Sequence, residues 1–435
     1  MQAVIMAGGK GTRLSSITKN EIPKPMVEIC GRPLLWYQID VLKRNGIKDI
    51  YIIVGYKGDK IVEYFKDGSQ YGVNIQYIIE KNPLGTAGAL FFLKNDLKDD
   101  FLLLFGDLIF DICIDKYYSF HKSKNALVTL FVHPNSHPYD SDLVILSSDG
   151  KVIGFDSKHN IRNYYYKNRV NAGIYFFKSD ILDRFSELQK YDLEKDILVP
   201  IVLEQGPIYG YTSPEYVKDV GTPERIKKAT IELESGLISA KNLKNKQCCI
   251  FMDRDGTINR YKGLVYRHED FELEAKSAEA IKKINDLGFL SIVITNQPVV
   301  ARGLCDITEV ETIHKKMETL IGKKGAYLDD ILYCPHHPDK GYPEENPLYK
   351  INCNCRKPDI GLINKCINNY NIDVNSSWFI GDSTVDVMTG KNAGLKTILV
   401  KTGVGGQDKK YDVIPDKICN DLFAAIKYIE KESIK

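Results

Sequence analysis

Apolar runs of strand length alternate with amphipathic segments of helix length along the first half of the chain. The runs QAVIM, DIYIIVGY, VNIQYII and FLLLFGD are each long enough for one strand, and PLLWYQIDVLKRNG has the spacing of a helix. Such alternation favours βαβ units on a mainly parallel sheet. We therefore predict an α/β fold for this half, with a Rossmann-like mixed sheet.

The second half repeats the alternation and is also predicted to be α/β. A polar stretch, SGLISAKNLKNKQ, follows the predicted helix PERIKKATIELE, separates the two halves and precedes the strand-like run CCIFMD. A chain of 435 residues has room for two domains. We predict domains at 1–235 and 248–435, with a linker at 236–247. The later segments are, in order, SAEAIKKINDLG, LSIVIT, ITEVETIHKKMETLIG, a loop-rich insert, IGLINKCINNYNI, WFIGDS and KTILV.

Composition excludes several classes of function. Hydrophobic residues make up 43% of the chain, charged residues 27%, and the formal net charge is +2. This balance is typical of a globular protein without the basic excess of nucleic-acid binding, so we predict no nucleic-acid partner. The apolar runs are shorter than the roughly 20 residues of a membrane span, and no signal peptide is evident, so we predict a cytoplasmic protein without a membrane partner. Ten cysteines then predict metal ligands or buried thiols.

A glycine-rich loop, AGGKGTRL, follows the first strand. Glycine permits positive φ angles and a close backbone approach, which let amide groups point at phosphate oxygens. Arg13 adds a fixed positive charge, and Lys24 lies between two prolines that restrict the backbone around it. A tight turn without a ligand is the alternative for the loop taken alone. Its candidate nucleotide-binding residues are Gly8, Gly9, Gly11 and Thr12.

GGKGTRL followed by PKPM resembles the nucleotidyltransferase signature of the sugar-nucleotide pyrophosphorylases, which join a sugar 1-phosphate to a nucleoside triphosphate. The resemblance spans the first half. It implies that Asp107 and Asp219 hold Mg²⁺. It further implies a base-binding turn containing Gly85, Thr86 and Gly88, and sugar contacts from Asn171, Gly173 and Glu194.

The chemistry of this family explains why such residue types are needed. A sugar 1-phosphate oxygen attacks the α-phosphorus in line and pyrophosphate leaves, so catalysis is mainly positioning and charge neutralisation. The resemblance implies that Arg13 serves the triphosphate, Lys24 the α-phosphate and Lys158 the sugar phosphate. The run FDSK departs from the family's usual Glu-Lys pair, which leaves a solvated lysine as the alternative for Lys158.

Two aspartates, Asp253 and Asp255, follow a buried strand in FMDRDGT, and both can reach a site just past its carboxyl end. The motif resembles the first motif of the haloacid dehalogenase superfamily. That resemblance implies that Asp253 forms an aspartyl-phosphate. It also implies that Asp255 protonates the leaving alkoxide and then activates water.

Three later motifs, ITNQ, CRKP and IGDSTVD, occur in the order typical of this superfamily. They imply that Lys357 steadies the charged nucleophile and that Asp382 joins Asp253 and the Asp255 carbonyl on Mg²⁺. Asp386 is either a partner behind the site or a residue favoured in the first helical turn by the helix dipole. The implied substrate-binding residues are Thr295, Asn296 and Arg356.

Cysteine and histidine cluster in the insert, with C-x-H spacing followed by C-x-C. Three thiolates and one imidazole make a closed tetrahedral set that favours structural Zn²⁺. Reduced cysteines in a surface loop are the alternative, and His337 is the alternative imidazole. The other seven cysteines lack partners and are predicted to be structural. The candidate zinc ligands are Cys334, His336, Cys353 and Cys355.

The zinc-loop pattern with DRDGT, TNQ, ARG and CRKP resembles the heptose bisphosphate and histidinol phosphatase group. The two resemblances imply a bifunctional enzyme that removes the 7-phosphate of D-glycero-D-manno-heptose 1,7-bisphosphate and then transfers GMP from GTP to the 1-phosphate. UTP, CTP and dTTP stay open. The alternatives are a transferase for another sugar 1-phosphate joined to a histidinol-phosphate phosphatase, and a chain with one non-catalytic half. The oligomeric state, with a homo-oligomer among the options, is open.

Overall fold

The computed structural model describes residues 1–9, 14–19 and 21–433. The chain divides into two compact units. Two short segments from within the first half, Pro134–Ser141 and Lys158–Asn168, belong to the second unit together with Leu243–Lys435. The first unit consists of Met1–His133, Asp142–Ser157 and Arg169–Asn242.

The first unit is built on a nine-stranded mixed sheet. The order along its main path is β10-β9-β11-β6-β1-β4-β5, and β8 pairs with β11 and β12. The central strands β6, β1, β4 and β5 run parallel, whereas β11 is antiparallel to β6. Outside this sheet, β2 pairs with β3 and β7 pairs with β13. The strands of the first unit are β1 Gln2–Ala7, β2 Glu28–Ile29, β3 Arg32–Pro33, β4 Asp49–Val54, β5 Asn74–Ile79, β6 Phe101–Phe105, β7 Leu108–Asp111, β8 Val128–His133, β9 Leu143–Leu146, β10 Val152–Asp156, β11 Val170–Phe177, β12 Ile208–Thr212 and β13 Tyr216–Asp219.

Helices cover this sheet and bury its apolar strands. Helix α6 begins where Thr222 accepts a hydrogen bond from the Arg225 amide and Pro223 takes the first helical position. The predicted linker contains a short helix, α7, whose Ile238 is buried. The helices are α1 Ser15–Thr18, α2 Leu34–Arg44, α3 Gly58–Phe65, α4 Ile114–Ser123, α5 Val199–Leu203, α6 Pro223–Glu234 and α7 Leu237–Ala240. Short 3-10 turns lie at Lys24–Met26, Ser69–Tyr71, Gly88–Leu93 and Ser179–Arg184, with a π-helix at Leu193–Leu198.

The second unit has a six-stranded parallel sheet in the order β16-β15-β14-β17-β18-β19. Its strands are β14 Cys249–Met252, β15 Leu290–Asn296, β16 Asp330–Cys334, β17 Trp378–Gly381, β18 Lys396–Val400 and β19 Lys417–Cys419. Its helices are α8 Ser277–Asp286, α9 Ile307–Gly322, α10 Gly361–Tyr370, α11 Thr384–Asn392 and α12 Leu422–Ser433. Short 3-10 turns lie at Pro138–Asp140, His268–Asp270, Pro347–Tyr349 and Val374–Ser376.

The two segments taken from the first half pack on helix α9. The Tyr166 amide donates a hydrogen bond to the Thr319 hydroxyl at 3.0 Å. Arg162 links the segments because its guanidinium donates to the carbonyl oxygens of Pro138 and Ser141, both at 2.7 Å. The second unit is therefore completed by chain that lies far away in sequence.

Strand ends position the candidate sites in both units. In the second unit β14, β15 and β17 are adjacent and parallel, so their carboxyl ends meet at one edge, where α/β sheets bind ligands. In the first unit β1 and β6 are adjacent and parallel and end at the glycine-rich loop and at Gly106. Among the described residues, every helix is too short or too polar to cross a membrane.

Candidate active sites

In the first unit Lys24 lies beside two carboxylates. The Lys24 Nζ is 2.6 Å from Asp107 Oδ2 and 3.8 Å from Asp219 Oδ1. Asp107 follows β6, and Asp219 ends β13 and also pairs with Arg225. The lysine side chain is 10% exposed, whereas the two carboxylate side chains are 36% and 38% exposed. Three residues predicted from distant motifs thus form one cluster that is open to solvent on its acidic side.

The described part of the glycine-rich loop lies against a carboxylate. A Cβ at Gly8 would be 2.2 Å from Glu80 Oε2, so a larger residue there would have to displace this carboxylate. Burial raises the pKa of Glu80, partly offset by a hydrogen bond from the Leu84 amide. Around Gly9 a Cβ would meet open space. The candidates Gly11, Thr12 and Arg13 lie outside the described residues.

The predicted base-binding turn packs tightly on the segment around Tyr191. A Cβ at Gly85 would be 2.3 Å from the Tyr191 carbonyl oxygen, and Gly85 has a φ of +82°. A Cβ at Gly88 would be 2.4 Å from the Gln189 carbonyl oxygen. The Thr86 hydroxyl accepts a hydrogen bond from the Leu193 amide at 2.7 Å. Close packing thus explains both glycines, and the role of the turn in binding a base stays a prediction.

The predicted sugar-contacting residues lie on two elements of the first unit. Asn171 is on β11, where its Oδ1 accepts a hydrogen bond from the Gly173 amide at 3.2 Å. Glu194 is on the π-helix and acts electrostatically on the buried Tyr175, whose pKa is raised, mainly by burial. Lys158 is exposed and belongs to the second unit. Their roles toward a sugar phosphate stay predictions.

In the second unit Lys357 also lies between two carboxylates, but there it is buried. Its Nζ is 2.8 Å from Asp253 Oδ1 and 2.5 Å from Asp386 Oδ1. The three side chains are 3%, 13% and 1% exposed. Asp386 also completes the capping box of α11 by accepting from the Ser383 amide. Both roles considered for Asp386 are thus present in one side chain.

The electrostatics of this cluster follow from its burial. Burial, reinforced by Asp386 and Asp255 and opposed by Lys357, raises the pKa of Asp253 to about 6. Burial followed by Asp386 and Asp253 raises the pKa of Asp382 to about 8. For Lys357 burial lowers the pKa, but the two adjacent carboxylates outweigh it and the net shift is upward. Carboxyl groups this crowded resist ionisation unless a cation joins them.

The acidic side chains can reach one ion. Ligand oxygens of Asp253, Asp382 and Asp386 all lie within 4.8 Å of one another. Three carboxylates facing a single ammonium leave an excess of negative charge, and carboxylate oxygens suit Mg²⁺. This donor set therefore fits the predicted cation. It includes Asp386, whereas the predicted set names the backbone of Asp255.

Asp255 is held by nitrogen donors from three side chains. Arg254 Nη2 donates to Asp255 Oδ2 at 2.8 Å, and Gln297 Nε2 donates to the same oxygen at 2.8 Å. Asn259 Nδ2 donates to Oδ1 at 3.0 Å. Arg254 and Gln297 are within DRDGT and TNQ, but neither is among the predicted site residues.

The other predicted phosphate-binding residues make contacts within the protein. The side-chain amide of Asn296 donates to the Lys357 carbonyl at 3.1 Å and accepts from the Lys357 amide at 3.0 Å, which fixes the loop carrying Lys357. The Thr295 hydroxyl accepts from Gln297 at 3.0 Å. Arg356 Nη1 donates to the His336 carbonyl at 3.1 Å. Their contacts with a substrate stay predictions.

The four candidate zinc ligands converge. The Sγ atoms of Cys334, Cys353 and Cys355 are 3.1 to 3.5 Å apart, and His336 Nδ1 is 3.3 Å from Cys355 Sγ. A tetrahedral Zn²⁺ with bonds of about 2.3 Å to sulfur would separate its ligands by roughly 3.7 Å. The sulfur atoms are too far apart for disulfides. The predicted alternative ligand, His337, is absent from this group of described residues.

Comparison with known proteins assigns the first half of the chain to a family. The family model described as nucleotidyl transferase matches residues 2–236. The chain belongs to the nucleotidyl transferase family. D-glycero-alpha-D-manno-heptose 1-phosphate guanylyltransferase of Aneurinibacillus thermoaerophilus is 33% identical over 236 residues, which are 54% of this chain and 99% of that protein.

The second half of this nucleotidyl transferase family member matches a different family. The model described as HAD-hydrolase-like matches residues 354–425. D-glycero-alpha-D-manno-heptose-1,7-bisphosphate 7-phosphatase of Photorhabdus laumondii subsp. laumondii is 38% identical over 187 residues, which are 43% of this chain and 98% of that protein. The predicted fusion of a nucleotidyltransferase with a haloacid dehalogenase-like phosphatase is therefore confirmed.

The first half is also similar to a solved structure and to part of some longer proteins. The crystal structure of HddC from Yersinia pseudotuberculosis complexed with GMP-PN is 26% identical, with a TM-score of 0.47, and covers 53% of this chain and 99% of that chain. Some relatives of the first half are longer proteins, and this nucleotidyl transferase family member spans 56% of the length of the first of them.

Proposed function

We propose that the chain carries out two consecutive reactions of heptose activation. The second half removes the 7-phosphate of D-glycero-D-manno-heptose 1,7-bisphosphate. The first half then joins the 1-phosphate product to GMP from GTP, giving GDP-heptose and pyrophosphate. One observation carries the proposal: a single chain covers nearly all of a heptose 1-phosphate guanylyltransferase and nearly all of a heptose-1,7-bisphosphate 7-phosphatase. Removing the 7-phosphate from the bisphosphate named for the second relative leaves the 1-phosphate named for the first.

The phosphatase step uses the buried cluster of the second unit. Asp253 attacks the 7-phosphorus while Asp255 gives a proton to the leaving sugar oxygen; water then attacks the aspartyl-phosphate and returns a proton to Asp255. Lys357, 2.8 Å from Asp253, offsets negative charge at the nucleophile. Asp253, Asp382 and Asp386 would hold Mg²⁺, which when bound neutralises charge on the phosphoryl oxygens.

The transfer step uses the solvent-open cluster of the first unit. The heptose 1-phosphate oxygen attacks the α-phosphorus of GTP, and the bond to pyrophosphate breaks. Lys24 is directed by its two carboxylate neighbours and would stabilise charge on the α-phosphate. Asp107 and Asp219 would hold Mg²⁺ for the triphosphate. Arg13 and the rest of the glycine-rich loop would bind the outer phosphates.

The cysteine cluster is proposed to bind one structural Zn²⁺. It directly precedes Arg356 and Lys357, so an ion there would fix the start of the loop that carries the lysine. Purified protein should contain one zinc per chain by plasma emission spectrometry. Cys353→Ser should lose the zinc, whereas Cys30→Ser, an exposed cysteine of the first unit, should keep it. Equal zinc content in both variants would count against this site.

The main test is incubation with heptose 1,7-bisphosphate, Mg²⁺ and each nucleoside triphosphate in turn, with mass spectrometry of the products. We expect phosphate release without any nucleotide, and GDP-heptose only with GTP. Asp253→Asn should stop phosphate release but leave transfer to added heptose 1-phosphate. UDP-, CDP- or dTDP-heptose as the main product would overturn the guanylyl assignment. Faster hydrolysis of histidinol phosphate than of the bisphosphate would overturn the heptose assignment.

A further inference from the structure

Arg254 stands between the two aspartates of the DRDGT motif and is the largest fully buried side chain among the described residues. Its exposed fraction is 0%. Removing a guanidinium from water is costly unless its donors are paired, so such a residue is normally surrounded by acceptors. The proposed phosphatase step gives Arg254 no part. The contacts of the Arg254 side chain therefore indicate the role of this buried charge.

The Arg254 guanidinium donates hydrogen bonds to both oxygens of the neighbouring Asp255 carboxylate. Arg254 Nη2 is 2.8 Å from Asp255 Oδ2 and 3.0 Å from Oδ1, and Arg254 Nε is 3.3 Å from Oδ1. Fork-like contact between a guanidinium and a carboxylate restricts direction as well as distance. The carboxyl plane of Asp255 thus has one preferred orientation.

Gln297 closes the arrangement into a ring. Its Oε1 accepts from Arg254 Nη2 at 2.9 Å while its Nε2 donates to Asp255 Oδ2 at 2.8 Å. The same Nε2 donates to the Thr295 hydroxyl at 3.0 Å, which ties the ring to strand β15. Gln297 is 1% exposed, so water does not compete for these bonds.

A histidine supports the guanidinium from behind. His314 Nε2 is 3.3 Å from Arg254 Nη1, and burial, followed by the charge of Arg254, lowers the pKa of His314. A neutral imidazole can accept the hydrogen bond that Arg254 offers. The His314 ring packs edge-on against Tyr333, with centroids 5.1 Å apart. The arginine is therefore held on both sides.

We propose that Arg254, with Gln297, is a positioning residue that orients the Asp255 carboxylate for both proton transfers of the phosphatase reaction. This inference rests on the proposed function, in which Asp255 is the acid and then the base. In this role the Arg254 side chain acts on Asp255, while the Arg254 backbone amide separately donates a hydrogen bond to Asp253 Oδ1 at 2.7 Å. Proton transfer depends on the direction as well as the distance of the acid.

The two proton transfers can be separated by the choice of leaving group. With a sugar phosphate, bond formation from Asp253 to phosphorus and bond cleavage to the sugar oxygen require a proton from Asp255. With p-nitrophenyl phosphate the leaving phenolate needs no proton, so only hydrolysis of the aspartyl-phosphate still needs Asp255 as base. A misdirected Asp255 should therefore slow the second step selectively.

The experiment is stopped-flow release of p-nitrophenolate by the full chain with Mg²⁺. For Arg254→Lys we expect a rapid burst of close to one equivalent per chain, then turnover slowed roughly tenfold or more. Positioned proton transfer contributes about 100- to 10,000-fold in all, and a misdirected base should lose part of that factor. Gln297→Met should give the same pattern with a smaller loss. Arg267→Lys, an exposed arginine of the same unit, should match wild type.

A burst amplitude well below one equivalent, in proportion to the lost turnover, would overturn the proposal because it would indicate fewer folded sites. Unchanged turnover in both variants would overturn it too. Heptose bisphosphate distinguishes this inference from the proposed function. A wild-type chain that releases p-nitrophenolate but no phosphate from the bisphosphate refutes the substrate alone, and wild-type inactivity on both refutes both.

Discussion

The two sites of this chain use the same charges in different surroundings. In each, a lysine ammonium lies near two carboxylates: Lys24 with Asp107 and Asp219, and Lys357 with Asp253 and Asp386. The carboxylates of the first site are more than one-third exposed, whereas those of the second are nearly or wholly buried. The difference in burial decides what each lysine contributes to stability.

Exposed ion pairs are screened by water and stabilise a fold by about 0 to 1 kcal/mol. Buried charges have lost their hydration, so each depends on its partner, and removing one partner costs about 3 to 5 kcal/mol. This difference fits the two proposed reactions. A site that receives a hydrated triphosphate can stay open, whereas an aspartate nucleophile benefits from losing part of its own hydration shell.

The largest effect is expected from Lys357→Met. It leaves Asp253 and Asp386 buried without their ammonium, and should lower the unfolding free energy of the second unit by about 3 to 5 kcal/mol. Phosphatase turnover should fall about 1,000-fold. The chain has two tryptophans, Trp36 in the first unit and Trp378 in the second. Urea unfolding followed by Trp378 fluorescence in a Trp36→Phe background therefore reports on the second unit.

Lys391→Met is the matched control for this change. Lys391 pairs with Asp416 at 2.6 Å in the same unit, but both side chains are about as exposed as the acids of the first site. Removing the Lys391 ammonium should lower the unfolding free energy of the second unit by less than about 1 kcal/mol. An equal loss in the two variants would mean that burial does not set the strength of these pairs.

A smaller effect of opposite sign is expected from Asp382→Asn. Burial and two neighbouring carboxylates disfavour the charged form of Asp382 and raise its pKa to about 8. Because the folded pKa lies above the unfolded one, the native state loses stability as pH rises from about 4 to about 8. At pH 8 in EDTA, the variant should be more stable than wild type by a few kcal/mol. Asparagine can still accept the bond from the Val404 amide.

The same variant should lose the rise in melting temperature that Mg²⁺ gives to the second unit of wild type. Calorimetry with EDTA and with Mg²⁺ measures both effects. Destabilisation in EDTA combined with a full Mg²⁺ response would contradict the account of crowded carboxylates.

In the first unit a buried titratable group, His121, lies away from the charged cluster. It is 1% exposed, and its Nδ1 is 2.7 Å from the Thr129 hydroxyl. Burial lowers its pKa to about 4, partly offset by Asp100. The unfolded chain gains a proton near pH 6.5 and the folded chain does not, so stability is lost as pH falls from about 6.5 to about 4.

Between pH 7.5 and pH 4.5, the unfolding free energy of the first unit should fall by about 1 to 2 kcal/mol less in His121→Gln than in wild type. The measurement is urea unfolding at pH 7.5 and pH 4.5, followed by Trp36 fluorescence in a Trp378→Phe background. His159→Gln, which changes an exposed histidine of the second unit, is the control and should leave this loss unaltered. If His121→Gln shows the same loss between these pH values as wild type, another group controls acid unfolding of this unit.

Local sequence patterns predicted much of the fold. The segments PERIKKATIELE and ITEVETIHKKMETLIG form helices over their full lengths as α6 and α9. Capping and apolar periodicity act over neighbouring residues, so they can be seen in sequence. The sequence pattern did not predict that Pro134–Ser141 and Lys158–Asn168 pack on α9, because the contact joins residues about 150 positions apart.

The residues of the candidate sites also divide into those that local sequence patterns predicted and those that depend on long-range packing. Residues at strand ends, such as Asp107 and Asp253, could be proposed from motif order, because parallel strands bring their ends together. The burial of Arg254 could not, since an arginine between two aspartates is usually solvated. The double role of Asp386 depends on where Lys357 reaches from a distant loop. Long-range packing determines both features.

The smallest effect on stability is expected from Lys24→Met, and it is the sharpest test of the comparison. Water can solvate Asp107 and Asp219 once the ammonium is gone, so the first unit should lose less than about 1 kcal/mol of unfolding free energy. GDP-heptose formation should still fall about 100- to 1,000-fold, because the charge on the α-phosphate loses its stabiliser.

Trp36 fluorescence in the Trp378→Phe background measures the stability, and Lys60→Met, which removes an exposed pair with Glu63, is the matched control. A loss of stability as large as that of Lys357→Met would show that the two lysines have equivalent structural roles despite the different burial of their carboxylate partners. Retained transfer would show that Lys24 serves Asp107 and Asp219 rather than the nucleotide. Only a stable and inactive variant fits a site in which the charge of Lys24 serves the ligand.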